Sequence, residues 1–251
     1  MRILIQAFLT IASATLIGCA GVPSPATPNA SENVNSVAPD KAPASVSRLF
    51  SQAVVFAYRV TPTETAGEFD SDGGSTAIVL GPDVIQTARH AIHSPLNQPV
   101  DLYLVRRQTT GTVLASAEKS EPNGDWALLK LSSPVWGREE KVPALAFANL
   151  PVKKGGAVYL LGYIVQGDND VVPAIIPGVA DSDFAPNEPI RATIQSRLYL
   201  GGMSGGALAV ERGSELVVVG SIRSATDPNH PQKPRVICSR LSPATLQAAQ
   251  R

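Results

Sequence analysis

A serine among small residues is the first feature that could carry chemistry. Residues 202–206 read GMSGG, with Ser204 at the centre. The glycines allow a sharp turn whose N–H groups point to one place, as the stabilisation of a developing oxyanion requires. A glycine-rich hairpin turn would contain the same residues, so the motif alone leaves both interpretations open.

A histidine and an aspartate could activate such a serine. Residues 87–90 read TARH and end an apolar stretch, and a histidine at the end of a strand can act as a general base near neutral pH. Asp125 begins the apolar segment 125–131, where it could orient an imidazole. Taken alone, His90 could be an ordinary surface or core histidine, and Asp125 a turn residue that follows Asn123-Gly124.

The segments around these residues are short, β-branched and close to a two-residue period, which predicts strands. Turn clusters of Gly, Pro, Asp and Asn separate them. One helix is predicted at 242–250, with Ser242 as N-cap and Pro243 in the first position. The predicted strands cover residues 53–60, 75–80, 84–88, 100–105, 125–131, 157–164, 191–195, 207–210, 216–222 and 236–239. This pattern indicates an all-β protein built as a sandwich or as barrels.

In this order, the segments TARH, DWALLKL and GMSGG resemble the trypsin-like (chymotrypsin-fold) serine peptidase family, its bacterial members in particular. The resemblance covers about residues 50–250. It implies two six-stranded antiparallel Greek-key barrels with a cleft between them and a short C-terminal helix. It implies a peptidase domain at 49–251, with the first barrel at about 49–135, a linker at about 136–154 and the second barrel at about 155–240.

The resemblance also implies the role of each residue. Ser204 would attack the scissile carbonyl, His90 would take its proton and pass it to the leaving amine, and Asp125 would hold the histidine tautomer. The N–H groups of Gly202 and Ser204 would form the oxyanion hole, where one donor is worth roughly 3–4 kcal/mol. The implied activity is hydrolysis of a protein or peptide through an acyl-enzyme, and no metal or organic cofactor is expected.

The substrate pocket is expected beside the nucleophile. Its floor would lie near Leu198 and Tyr199, and one wall near Arg223, Ser224 and Ala225. No acidic residue stands at the expected floor, so a preference for Lys or Arg is not predicted. A small or apolar residue before the cut is the expectation.

Some residues depart from the family pattern. Arg89 stands where the residue before the histidine is usually small, and it is expected to point away from the triad or to line the cleft edge. Met203 replaces the aspartate of zymogen-type members, and no Arg-Ile-Val-Gly-Gly site occurs in the sequence, so activation at a new N-terminus is not expected. Cys238 is predicted to be a buried, unpaired thiol. His93 and Asp101 lie outside the two sequence frames and are disfavoured as the base and the acid.

The N-terminus resembles a bacterial lipoprotein signal. Arg2 precedes an apolar run at 3–16, which is shorter than the ~20 residues of a spanning helix. Residues 16–19 read LIGC, like the lipoprotein box, in which the cysteine is acylated and becomes the first mature residue. Residues 1–18 are therefore expected to be a signal peptide and Cys19 the lipidation site, although an ordinary signal peptide that contains a cysteine remains an alternative. The expected location is the bacterial cell envelope, on the periplasmic side of the outer membrane if the source is Gram-negative.

Residues 19–48 are rich in Ala, Pro, Ser and Asn without an apolar period, which predicts a disordered tether. An irregular arm packed on the domain is the alternative. Lys+Arg and Asp+Glu number 21 each, so the balanced charge does not indicate a nucleic-acid partner. Two other functions remain open: an idle peptidase fold that acts as a binding lipoprotein, and a structural lipoprotein of another fold. The oligomeric state is not predicted.

Overall fold

The chain folds into two β-barrels with short helices at both ends. The computed structural model describes residues 38–62, 69–104, 107–117, 124–136, 146–166, 170–194, 200–213, 215–225 and 235–249. The elements, in chain order, are a 3-10 turn Pro39–Lys41, helix α1 Ala44–Ala53, strands β1 Val54–Pro62, β2 Phe69–Gly81 and β3 Val84–Thr87, helix α2 Arg89–Ile92, strands β4 Pro99–Leu104, β5 Arg107–Ser116, β6 Ala127–Leu131, β7 Ala157–Gln166, β8 Asp170–Ala180, β9 Ile190–Ile194, β10 Ala207–Arg212, β11 Glu215–Ala225 and β12 Arg235–Arg240, and helix α3 Pro243–Ala248.

Each barrel is closed by six antiparallel strands. The first has the strand order β1-β2-β3-β6-β5-β4, and the second has the order β10-β11-β12-β9-β8-β7. Alternate residues of the strands fill the interiors; Ile85 and Leu129 are fully buried in the first barrel, and Leu160 and Ile176 in the second. The structure confirms the predicted all-β class, the two six-stranded barrels and the short C-terminal helix. Ser242 caps that helix as predicted, by accepting a hydrogen bond from the Thr245 N–H.

A separate apolar cluster lies where the two barrels meet. It combines residues from strands of both barrels with residues of α1 and the segment that leads into α3. Its buried members include Ile78 and Leu128 from the first barrel and Leu161, Ala207 and Val218 from the second. Removing these apolar surfaces from water stabilises the barrels as one body and thereby fixes the geometry between them.

Helix α1 corrects the prediction for the end of the tether. The tether was predicted to extend through residue 48, but the helix begins at Ala44. Its buried residues recur at helical spacing and pack into the cluster between the barrels: Val46, Leu49, Phe50 and Ala53. Burial of this one apolar face favours helix over disorder. Residues 1–37, including the predicted signal peptide and most of the tether, lie outside the described residues.

Candidate active site

Two neighbouring strands of the first barrel bring His90 and Asp125 together. β3 and β6 are antiparallel, with Thr87 opposite Ala127, so the end of β3 lies beside the start of β6. The chain continues from β3 into the single turn of α2, which contains His90, whereas Asp125 precedes β6 by two residues. His90 therefore lies just past the strand, in a helical turn, and not at the strand end that the sequence predicted.

Asp125 binds His90 at two points. Its Oδ2 lies 2.6 Å from the imidazole Nδ1, and its Oδ1 accepts a hydrogen bond of 3.1 Å from the His90 main-chain N–H. With Nδ1 directed at the carboxylate, Nε2 is the ring nitrogen left for a reacting group. The Asp125 side chain is 15% exposed and that of His90 is 51% exposed, so the pair is open to a substrate on the histidine side.

The carboxylate of Asp125 also changes the pKa of His90. The hydrogen bond to Asp125 raises the pKa of His90 above its ordinary value of 6.5. Partial burial acts in the opposite direction, and the negative charge of Asp125 adds to the increase. The net result is a base that binds a proton more strongly than a free imidazole does.

Ser204 lies in a tight loop, the serine loop of residues 200–206, in which three successive carbonyl groups accept hydrogen bonds. The Gly201 carbonyl accepts a hydrogen bond of 2.8 Å from the Val165 N–H, and the Met203 carbonyl one of 2.9 Å from the Gly206 N–H. Between them, the Gly202 carbonyl accepts from both the N–H and the hydroxyl of Thr76, at 2.8 and 2.7 Å. The carbonyls of Gly201, Gly202 and Met203 thus all accept hydrogen bonds.

The serine loop packs directly on the chain that leads to His90. Gly205 has φ +81, and a Cβ placed on it would lie 2.3 Å from the Thr76 carbonyl oxygen and 2.6 Å from the Ala88 nitrogen. Only glycine fits so close an approach. The contact places the residue after Ser204 against the backbone two residues before His90. Within the part of the chain that the structure describes, the Ser204 hydroxyl makes no hydrogen bond.

The buried hydroxyl groups of Ser75, Thr76 and Thr87 lie beside this contact and were not predicted from the sequence. The Thr87 hydroxyl donates to the Thr76 carbonyl at 2.8 Å, so the Ser75 hydroxyl, 2.8 Å from Thr87 Oγ1, must be the donor to Thr87. Their sequence signal was limited to the β-branched composition of two strands. Nothing in that pattern indicated contact with a loop more than a hundred residues away.

The predicted pocket residues are only partly within the described part of the chain. Ile222 exchanges two hydrogen bonds of 2.7 Å with Gly205 and Gly206, so β11 runs alongside the serine loop. Arg223 and Ser224 follow at once; Arg223 is half-buried and Ser224 is exposed. Ala225 pairs with Val236 on β12. Leu198 and Tyr199, the predicted floor, and Cys19, the predicted lipidation site, lie outside the described residues.

The competing residues lie elsewhere. His93 is exposed and ends α2 with φ 45, and the carboxylate of Asp101, on β4, accepts a hydrogen bond from the Thr110 hydroxyl at 3.2 Å. Among the described residues, no group of three or more His, Cys, Asp and Glu side chains could hold a metal ion. Over those residues there is also no helix of the length and apolarity needed to cross a membrane.

Arg89 has a specific partner. Its Nη1 donates a hydrogen bond of 2.5 Å to the Ala117 carbonyl, and the Ala117 N–H donates to the Trp126 carbonyl at 3.0 Å. The guanidinium therefore braces the segment that leads to Asp125. Arg89 was expected to point away from the triad or to line the cleft edge, and its observed partner is the Ala117 carbonyl.

Two closed antiparallel barrels, with a His–Asp pair on one and a glycine-rich serine loop on the other, define the class of double-barrel peptidases. Residues 75–220, more than half of the chain, match the trypsin-like peptidase domain. The chain belongs to the trypsin-like serine peptidase family. No match to a curated protein is found.

Similar solved structures agree on the fold. The Rv3671c protease in an inactive form is 21% identical, with a TM-score of 0.50, over 81% of this chain and 90% of that one. A serine-to-alanine variant of Rv3671c from M. tuberculosis H37Rv, also inactive, is 20% identical, with a TM-score of 0.51, over 81% and 88%. At this identity the likeness shows the fold and not the activity.

Proposed function

We propose that the protein is a serine endopeptidase that hydrolyses peptide bonds through Ser204, His90 and Asp125. The observation that carries the proposal is the double hydrogen bond between His90 and Asp125, at the point where the serine loop packs on the first barrel. Family membership supports a protein or peptide substrate. Neither the hydrogen bonds of His90 nor the family membership indicates which residue precedes the cleaved peptide bond.

The reaction follows from the chemistry of these groups. Ser204 Oγ attacks the scissile carbonyl while His90 Nε2 takes the hydroxyl proton. Asp125 keeps the Nδ1 proton in place and stabilises the imidazolium that forms. His90 then returns the proton to the leaving amine, and a water molecule repeats the sequence to release the acyl group.

The orientation of the loop peptides supports an oxyanion hole at Gly202 and Ser204. In a trans peptide the N–H points away from the C=O of the same unit. The Gly201 and Met203 carbonyls are bound to the N–H groups of Val165 and Gly206. The N–H groups of Gly202 and Ser204, which belong to the same peptide groups as these carbonyls, therefore point away from Val165 and Gly206. Within the described residues, the N–H groups of Gly202 and Ser204 donate no backbone hydrogen bond, so both are available to an oxyanion.

The alternative is a catalytically idle peptidase fold that serves as a binding lipoprotein. It is favoured by one observation: among the described residues, Ser204 Oγ has no hydrogen bond to His90. Catalytic hydrogen bonds in unliganded enzymes often tighten only when substrate binds. A direct test of serine reactivity therefore separates the two functions.

The test is covalent labelling of the full chain with a fluorophosphonate probe, followed by peptide mass spectrometry. We expect Ser204 to be labelled, and Ser204→Ala and His90→Ala to abolish labelling. Ser51→Ala and His93→Ala are matched controls, because Ser51 is exposed on α1 and His93 lies three residues from His90. Digestion of casein by the unaltered chain should yield internal cuts. A folded chain that neither labels nor cuts would support the idle fold instead.

We also propose that the chain is exported and anchored to the cell envelope by a lipid on Cys19. The support is the sequence of residues 1–19, which combines a basic start, a short apolar run and a lipoprotein-type box. Expression in a bacterial host with labelled palmitate should give a labelled band in the membrane fraction. Cys19→Ser should remove the label and release the protein, whereas Cys238→Ser should change neither result. Retention of the label in Cys19→Ser would refute the anchor.

A further inference from the structure

Thr76 is the only described residue of the first barrel that donates hydrogen bonds to the serine loop. Its N–H and its hydroxyl both donate to the Gly202 carbonyl, across a sequence separation of 126 residues. The peptide group that Thr76 binds is Gly202–Met203. It lies between the two peptide groups that contain the N–H groups of Gly202 and Ser204. We propose that Thr76 is a positioning residue that keeps these two oxyanion donors aimed at the reacting carbonyl; the inference rests on the proposed function.

The Thr76 hydroxyl both donates and accepts a hydrogen bond. Its single proton goes to the Gly202 carbonyl at 2.7 Å, and its oxygen accepts the Tyr163 N–H of β7 at 2.9 Å. Thr76 itself is fully buried, whereas Gly202 and Tyr163 are partly buried. One side chain therefore joins a strand of the first barrel, a strand of the second barrel and the serine loop. Loss of the hydroxyl would leave the partly buried N–H of Tyr163 on β7 without its acceptor.

The loop needs an anchor outside itself because two adjacent glycines precede the nucleophile. Gly201 and Gly202 are adjacent, and Gly202 has φ +92, so the backbone can reach conformations that most residues avoid. The Met203 side chain is 1% exposed and packs in the core of the second barrel. That burial fixes the position of the Met203 side chain but does not tie the loop to the first barrel. The Gly202–Met203 peptide is held on both sides: its N–H donates to the Leu200 carbonyl within the loop at 3.1 Å, and its carbonyl accepts the two hydrogen bonds from Thr76, which tie it to the first barrel.

The steric surroundings confirm that Thr76 and the loop fit each other closely. A Cβ on Gly162 would lie 3.0 Å from Thr76 Oγ1 and 2.8 Å from the Met203 sulfur, so β7 approaches both groups at its glycine. The Thr76 carbonyl, in turn, is held by the Thr87 hydroxyl, three residues before His90. Thr76 thus shares one set of contacts with the loop and with the strand that leads to the base.

The inference is tested with Thr76→Val, which keeps the β-branched shape and removes the hydroxyl, and with Thr76→Ser, which keeps the hydroxyl. Thr245→Val is the matched control, because Thr245 is equally buried and its hydroxyl binds Gln86 beside α3. With p-nitrophenyl butyrate and the full chain, we expect Thr76→Val to lower kcat about 10- to 100-fold, with KM changed less than about threefold. Thr76→Ser and Thr245→Val should keep kcat within about threefold.

Hydrogen exchange measured by mass spectrometry supplies a readout that does not depend on activity. Exchange of the amides at residues 200–206 should be faster in Thr76→Val than in the unaltered chain, and unchanged in Thr245→Val. Equal kcat and equal exchange in Thr76→Val, or the same losses in Thr245→Val, would overturn the inference. Should Thr76→Val not fold, Thr76→Ala removes the same hydroxyl and takes its place. An unaltered chain that neither labels nor hydrolyses would refute the proposed function, and the exchange data would then decide the inference alone.

Discussion

At the scale of single residues, Asp125 defines what His90 can do. The carboxylate accepts one hydrogen bond from the imidazole and one from the main-chain N–H of the same histidine. Two contacts to a single residue fix the tilt of the ring as well as its tautomer. An aspartate that merely ended a turn would not need this arrangement.

The pKa shift of His90 predicts the pH dependence of activity. His90 acts as a base only when neutral, and its pKa is raised above 6.5, so kcat/KM should fall as the pH drops through a midpoint above that value. Asp125→Asn removes both causes of the increase, so the midpoint should move down. The rate should also fall, by about 10⁴-fold, because asparagine favours the wrong tautomer. A pH profile of ester hydrolysis measures both effects, and an unchanged midpoint in Asp125→Asn would contradict the assignment.

Arg89 has a structural role that its sequence context did not indicate. Its hydrogen bond to the Ala117 carbonyl braces the approach to Asp125. Arg89→Ala should therefore lower kcat/KM about tenfold through misplacement of the carboxylate. Arg89→Lys should recover part of the loss, and Arg48→Ala on α1 serves as a control. If the acid midpoint of His90 and kcat/KM are both unaltered in Arg89→Ala, the bracing role is refuted.

At the scale of elements, the sequence predicted ten of the twelve described strands, and it missed β5 and β8 for different reasons. β8 contains Pro173 and Pro177, which normally argue against a strand. Both prolines lie where β8 pairs only with β7; its pairing with β9 is confined to residues 178–180. Prolines are tolerated where a strand has a single neighbour, because one side of the strand then needs no ladder hydrogen bonds. β5 carries a run of Thr and Gly residues with little apolar alternation, so its pattern was too weak.

Helix α1 was missed although its signal was present. Val46, Leu49, Phe50 and Ala53 follow the i, i+3, i+4, i+7 spacing of an amphipathic helix. The Pro- and Ser-rich residues before them made the whole stretch look like a tether. What no local pattern contains is the surface that the helix covers, because that surface is formed by both barrels together.

The contact between the serine loop and the first barrel predicts a contrast between two glycines with positive φ. Gly205→Ala should abolish activity and destabilise the protein by more than about 3 kcal/mol, because its Cβ would overlap backbone atoms at 2.3 and 2.6 Å. Gly213→Ala has φ +63 but nothing within 4 Å, so it should cost only about 1 kcal/mol. Urea unfolding and fluorophosphonate labelling measure the two effects. Equal losses in both variants would show that φ, and not contact, is the cause.

The packing of α1 predicts that it stabilises the peptidase domain. Phe50 is 5% exposed, and its ring centroid lies 5.4 Å from that of Tyr163 on β7. Phe50→Ala should lower the free energy of unfolding by about 3 kcal/mol. The neighbouring exposed Ser51→Ala should change it by less than about 0.5 kcal/mol. Thermal unfolding of the full chain decides the matter; an unchanged Tm in Phe50→Ala would mean that the helix is not docked in solution.

At the scale of the whole molecule, the sequence identified the residues of the candidate site better than their environment. The motifs predicted that His90, Asp125 and Ser204 belong together, and the structure places the first two in contact; their catalytic roles stay predictions. The Thr76–Gly202 bond could not be predicted, because it depends on the packing of one barrel on the other. Contacts of this kind follow from the complete fold and have no local sequence pattern.

The buried thiol of Cys238 has a practical consequence for the second barrel. Cys238 is fully buried on β12, between partners on β9 and β11, and burial raises the pKa of the thiol well above its usual range. A soluble alkylating reagent can therefore reach it only after those strands separate. The rate at which iodoacetamide modifies Cys238, followed on its own peptide, reports how often that half of the molecule opens. The alkylation rate of Cys238 thus measures local opening of the second barrel, and no engineered label is needed.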